Sequence, residues 1–196
     1  FNSKNNFNLQ IDENLKINNL NFNSDIVLND LTIQNSFKIK KIFPNIKNEL
    51  ILQNHKIKLN YKKNDFNISG SGKMMLQDEH DNIEYKFTKK KDISYYNAKL
   101  IFKNPINFQF LNYEKDKNSD LEIDIKAQSK NNKKLLFEEI FLKEKNNSIS
   151  VKNLTLSSKN KIEDFLSIRT DFLDKNNFKN KIQIIKNKKG YLVSGE

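Results

Sequence analysis

The sequence predicts an all-β chain, mostly antiparallel, drawn out as an elongated twisted sheet with an apolar groove; the alternative architecture is a closed β-sandwich. Three observations predict it. From Glu49 to Leu76 apolar residues fall on alternate positions, Leu50 and Leu52, then Ile57, Leu59 and Tyr61, then Phe66 and Ile68, which is the two-residue period of a half-buried strand. Similar runs recur along all 196 residues, roughly ten to thirteen of them, with little helical spacing. Polar breaks separate them, and with only four glycines and two prolines asparagine must supply most of the turns.

Taken in order, residues 1–44 carry the runs Phe7 to Ile11, Leu15 to Ile17, Leu20 to Phe22 and Leu31 to Ile33, divided by Asn, Asp and Ser pairs. Phe37-Lys38-Ile39 continues the pattern toward Pro44, which lacks a donor and belongs at a strand end or in a loop. Lys62 to Asp65 splits the Glu49–Leu76 stretch into a hairpin. A polar turn from Gln77 to Asn82 leads to Ile83, Tyr85 and Phe87. Ala98, Leu100 and Phe102 form the next run, and Pro105 sets it apart from Ile106, Phe108 and Phe110. Asn112 to Asp120 is polar enough to read as a loop, and Leu121 to Ala127 alternates cleanly as a strand with Ile123 and Ile125 on one face. Leu135 to Leu142 mixes both periods. Ile149 to Val151 and Leu154 to Leu156 follow a polar turn, and the spacing of Ile162, Phe165, Leu166 and Phe172 is partly helical, although its neighbours favour strand. Ile182 to Ile184 and Tyr191 to Val193 flank a closing hairpin turn.

Leu, Ile, Val and Phe make up roughly three residues in ten, enough to drive folding. The formal charge of +11 rests on lysine, because Arg169 is the sole arginine. Base readout and phosphate clamping lean on the arginine fork, so no specific nucleic-acid partner is expected. An AT-rich coding bias accounts for the abundance of Lys, Asn, Ile and Phe, and exposed lysines also guard strand edges. There is no cysteine, which removes disulfides, thiolate nucleophiles and cysteine metal sites. No apolar run approaches the roughly 20 residues of a membrane helix. The chain opens at Phe1 rather than methionine and reads as a single segment, 1–196, of something longer, with any anchor outside it.

Motifs that carry chemistry fail one by one. Gly70-Ser71-Gly72-Lys73 resembles the end of a phosphate loop, but Asn67 stands where a glycine is needed and Met74 where the magnesium-binding hydroxyl belongs. The glycines instead mark a bend or a close backbone approach. His55 and His80 read as separate surface histidines, and the pairs Glu138/Glu139 and Asp78/Asp81 as solvated charge. The glycosylation-like triplets at Asn67, Asn146 and Asn153 are what so much asparagine gives by chance. No cofactor, metal or catalytic constellation is expected, and the chain reads as non-enzymatic.

ILQNHKIKLNYKKNDFNISGSGKMMLQ, the strand SDLEIDIKA and the closing GYLVSGE together resemble the AsmA-like envelope proteins of Gram-negative bacteria, in particular the YhdP-type branch with its domain of unknown function. The resemblance implies a long, taco-like sheet in the periplasm, anchored in the inner membrane, that passes phospholipid toward the outer membrane. The expected partner is then phospholipid acyl chains, covering an apolar lane of Leu50, Leu52, Ile57, Leu59, Tyr61, Phe66, Ile68, Tyr85, Phe87, Ile123 and Ile125. Alternation assigns each of these to one face of its strand without saying which strands share a face. The competing expectations are a structural or adhesive sandwich with a sealed core and a lysine-driven polyanion binder.

Overall fold

The computed structural model describes residues 1–34, 40–63, 65–116, 118–131 and 133–196, so the run Phe37-Lys38-Ile39 lies outside the described residues. The strands are β1 (Asn2–Ile11), β2 (Ile17–Gln34), β3 (Glu49–Lys62), β4 (Asp65–Met75), β5 (Asp81–Lys90), β6 (Ile93–Phe102), β7 (Asn107–Phe108), β8 (Tyr113–Glu114), β9 (Leu121–Lys130), β10 (Lys134–Glu144), β11 (Asn147–Ser157), β12 (Ile162–Asp164), β13 (Ser167–Leu173), β14 (Lys179–Asn187) and β15 (Gly190–Gly195). All but β7 and β8 belong to one antiparallel sheet, ordered β1-β2-β3-β4-β5-β6-β9-β10-β11-β13-β14-β15, with the short β12 beside β11. Each strand therefore pairs with its sequence neighbour, apart from the β7–β8 insert, which the β6–β9 pairing bypasses, and the short β12, which the β11–β13 pairing bypasses. The sheet does not close into a barrel. Twelve strands at about 4.8 Å spacing make a ribbon about 53 Å long.

Asparagine supplies about half of the positive-φ turn positions, Asn112, Asn131, Asn160 and Asn177 beside Leu15, Lys63, Lys91 and Lys145, while Asn19, Asn54 and Asn153 lie within strands. Seven of the eleven described non-glycine residues with positive φ are asparagines, whose short polar side chain tolerates the left-handed region. At the β1–β2 turn the Asp12 carboxylate accepts from the Asn14 and Lys16 amides at 2.9 Å each. The same arrangement recurs between β13 and β14, where Asp174 accepts from the Asn176 and Phe178 amides at 2.8 and 2.9 Å.

Two local expectations are corrected and two ambiguous stretches are resolved. The runs at Leu20 and Leu31 are one strand, β2, because Asn23, Ser24, Asp25 and Asp30 between them stay in the ladder opposite β3 and make no turn. The polar 112–120 stretch is not a plain loop: Tyr113 and Lys115 are buried in it. Leu135 to Leu142 has a mixed period because β10 carries a bulge. Phe137 pairs with Ala127 and Glu139 with Lys126, so Glu138 is skipped and Leu135, Phe137, Ile140 and Leu142 share one face. Around Phe165, strand wins over helix, as its neighbours suggested.

The closed sandwich is not what forms. Among the described residues the second sheet is only the two-stranded β7–β8 insert, and it covers one end of the apolar face. There Phe102, Ile106 and Leu121 are buried together, with Ile42, Phe43 and Phe108 packed against them. Tyr113, Ile149 and Phe172 continue the cluster. Segment 42–47 is tied down by the Asn107 amide donating to the Ile42 carbonyl (2.9 Å) and the Lys47 amide to the Leu76 carbonyl (3.0 Å).

Candidate functional site

Directly opposed residues in a ladder project to the same face, so the register decides which strands contribute to one surface. One row runs Ile26, Ile57, Gly70, Tyr85, Ala98, Ile125, Ile140, Val151, Ile168, Ile184 and Val193, crossing the sheet from β2 to β15 without a charged residue. On the insert side, Ile83, Leu100, Ile123, Leu142 and Ile149 form a parallel row. On the other side lie Leu59, Ile68, Phe87, Tyr96, Ala127 and Phe137, and beyond them Phe7, Phe22, Tyr61 and Phe66. Leu50 and Leu52 sit opposite Ile33 and Leu31 on this same face. All eleven residues picked out by alternation thus share one surface. Sequence reasoning did not assign its second half, Ile140, Val151, Ile168 and Ile184, to the lane: the β10 bulge hides the period at Ile140, and the others join the row only through the register.

The surface is apolar and unroofed. In a sealed core, side chains such as Ile57, Ile125, Ile140 and Val151 would be buried; here they are half-buried, and Val193 is 63% exposed. The reverse face of the sheet carries residues such as Lys58, Lys86, Lys99, Lys126, Glu139 and Lys152, some joined in exposed ion pairs, Lys126–Glu139 at 3.3 Å and Lys99–Glu122 at 3.8 Å. Such pairs add little stability.

Two glycines shape the lane. A Cβ on Gly72 would lie 2.3 Å from Cδ2 of His55, and one on Gly70 2.5 Å from the Tyr85 hydroxyl. The rings lie over the bare backbone, so the Gly-Ser-Gly motif makes room for side chains, as the close-approach reading expects. His55 is a correction: it is buried at 1% exposure, its Nε2 hydrogen-bonded to the Lys73 carbonyl at 2.9 Å and its Nδ1 without a partner.

The insert end is polar beneath its apolar contacts. Asp81, also buried rather than solvated, accepts from the Lys103 amide (2.8 Å) and from Asn104 Nδ2 (2.8 Å), while Asn104 Oδ1 accepts from the Asp78 and Glu79 amides. Asp78 itself is exposed beside Lys47. Burial pushes the Asp81 carboxyl up. Its folded pKa therefore exceeds its unfolded value, so stability falls as pH rises between the two, and Asp81→Asn is expected to flatten that part of a urea-midpoint against pH profile. Glu144 is buried and accepts from the Tyr113 and Ser119 hydroxyls and the Asp116 amide. Burial and this carboxylate hold the Tyr113 phenol far above its ordinary pKa. Lys115 Nζ donates to the Lys103 and Asp116 carbonyls, both at 2.8 Å. A cleft of about 490 Å³ opens beside this network. Its buried groups are engaged in folding the insert. Glu144→Ala, which leaves the buried Tyr113 hydroxyl without its acceptor, is expected to cost about 2 kcal/mol in chemical denaturation, with Glu144→Gln milder. Among the described residues no cluster could hold a metal ion.

The two ends of the strands differ in charge. The hairpin connections away from the insert, residues 12–16, 62–65, 89–92, 130–134, 157–164 and 186–190, carry fourteen lysines against six acidic residues. The opposite connections, 40–48, 76–81, 103–120, 144–147 and 174–178, carry eight of each. Most of the net charge thus lies along one margin of the apolar face. A coding bias would not distribute lysine this way.

The fold and its site define a class: an open antiparallel sheet with one continuous, half-exposed apolar face, capped by an insert along one margin and lined by lysine along the other. No protein-family model matches the chain, and neither a curated protein nor a solved structure is similar to it at a significant level.

Proposed function

We propose that the chain is a segment of a larger β-groove protein that holds or guides phospholipid acyl chains along this face, without catalysis. The observation that carries the proposal is the uninterrupted apolar row from Ile26 to Val193, over whose middle no layer lies among the described residues. Covering such a row with hydrocarbon gains about 0.8 kcal/mol per buried methylene, whereas leaving so large an apolar surface in water is unfavourable. The exposed outer strands β1 and β15 suit a sheet continued by further strands. The AsmA-like resemblance supplies the setting: a periplasmic bridge anchored in the inner membrane of a Gram-negative bacterium, serving outer-membrane biogenesis. Native mass spectrometry of protein purified gently from cells is expected to show stoichiometric phospholipid that organic extraction removes. Bare protein throughout would defeat the proposal.

The lysine-rich margin favours a second reading, binding of a soluble polyanion. It predicts heparin retention that falls steeply with salt and does not change when lipid is removed.

A further inference from the structure

We infer that the lipid on this face is anionic, and that its phosphate headgroup sits at the basic margin between the β3–β4 and β5–β6 hairpins. The inference rests on the groove reading above and names the lipid class. Three observations meet at that place. Lys89 lies on the apolar face itself, directly opposite Phe66, with Tyr61 next in the same cross-strand row. Its aliphatic stem can follow the apolar surface while the ammonium reaches the margin. A shallow depression of about 430 Å³ opens here, lined by Tyr61, Phe66, Lys89, Lys91 and Asp92.

Charge supplies the second observation. Lys62, Lys63, Lys89 and Lys91 are exposed, and among the described residues no carboxylate lies within ion-pair distance of any of them; the rim ion pairs are elsewhere, Lys134–Glu163 and Lys186–Asp164. Asp65 and Asp92 are the acidic residues of the two hairpins, too few to neutralise the lysines around them. The third is placement. Successive hairpins on this margin stand about 10 Å apart and run parallel to the apolar rows. Tails laid along those rows therefore keep their headgroups beside lysine over much of the lane, with Phe66 and Tyr61 at the boundary, where aromatic rings favour the junction of hydrocarbon and water.

The test offers the lipid-free chain two vesicle preparations with identical acyl chains, phosphatidylcholine alone and phosphatidylcholine doped with phosphatidylglycerol, and measures lipid extracted onto the protein after separation. Phosphatidylglycerol is expected to be enriched over its share of the vesicle by roughly tenfold, falling as salt is raised. The variant K62Q/K63Q/K89Q/K91Q, altered only at exposed positions, should lose that enrichment, the phosphatidylglycerol share of its extracted lipid falling to the share in the vesicle. Equal uptake of both lipids by the unaltered chain would overturn the inference and leave the groove reading intact. No uptake of either lipid would overturn the groove reading first. A variant that sediments less with vesicles yet keeps the enrichment would show the lysines docking a membrane surface, and that too would overturn the headgroup assignment.

Discussion

Gly72→Ala is expected to destabilise the chain by about 2 kcal/mol, and Gly72→Val by more, although both residues favour strands over glycine. The added Cβ would meet the His55 ring at 2.3, 2.5 and 2.8 Å, and the ring cannot retreat without giving up its 2.9 Å bond to the Lys73 carbonyl. The backbone is not strained there, since Gly72 has no positive φ; the cost is purely one of space. Removing the ring should remove the cost. In a double-mutant cycle read by urea denaturation, Gly72→Ala made on top of His55→Ala is expected to be neutral or stabilising. Additive losses would mean that the ring does not occupy the place the glycine leaves.

Ile125→Asp is expected to reduce copurifying phospholipid by at least about tenfold while leaving the sheet folded. Ile125 stands mid-lane between Ala98 and Ile140. It is only half-buried, so in the lipid-free chain a carboxylate there still reaches water, and the cost to folding is small. Under an acyl chain the same carboxylate would be buried without a partner. The control is Ser150→Asp on the reverse face, beside Arg169, which should leave lipid content unchanged. Phosphorus analysis of the purified proteins, with circular dichroism as the folding check, measures both. Equal lipid in both variants would remove the acyl chain from this face.

Alternation gave the β3–β4 hairpin and β9 almost to the residue, because each strand has one wet and one apolar face and no bulge intervenes between Ile57 and Ile68 or between Leu121 and Ala127. It failed where the ladder skips a residue. At Glu138 one unpaired residue inverts the parity, so Leu135 and Phe137 fall out of step in sequence with Ile140 and Leu142 while sharing their face. It also failed where polar residues are buried. Nothing local distinguishes His55 from a surface histidine, since its burial depends on a glycine seventeen residues away, nor Lys115 from a loop lysine, since its acceptors are backbone carbonyls. The basic margin was invisible for a different reason: lysines scattered through the sequence gather along one edge only after the meander sends alternate hairpins to opposite ends. The eleven lane residues were legible singly, and their common surface came only from the register.

The chain has no cysteine of its own, so single introduced thiols report one position each. Ile57→Cys and Ile125→Cys, compared with the buried Leu121→Cys beneath the insert, test most directly whether the apolar face is open. With lipid removed, a small water-soluble maleimide should modify the first two readily and the third hardly at all, and added phospholipid should then protect the first two. Lane thiols as unreactive as Leu121→Cys in the lipid-free protein would mean that the chain seals this face itself, contradicting the open lane on which the functional proposal rests.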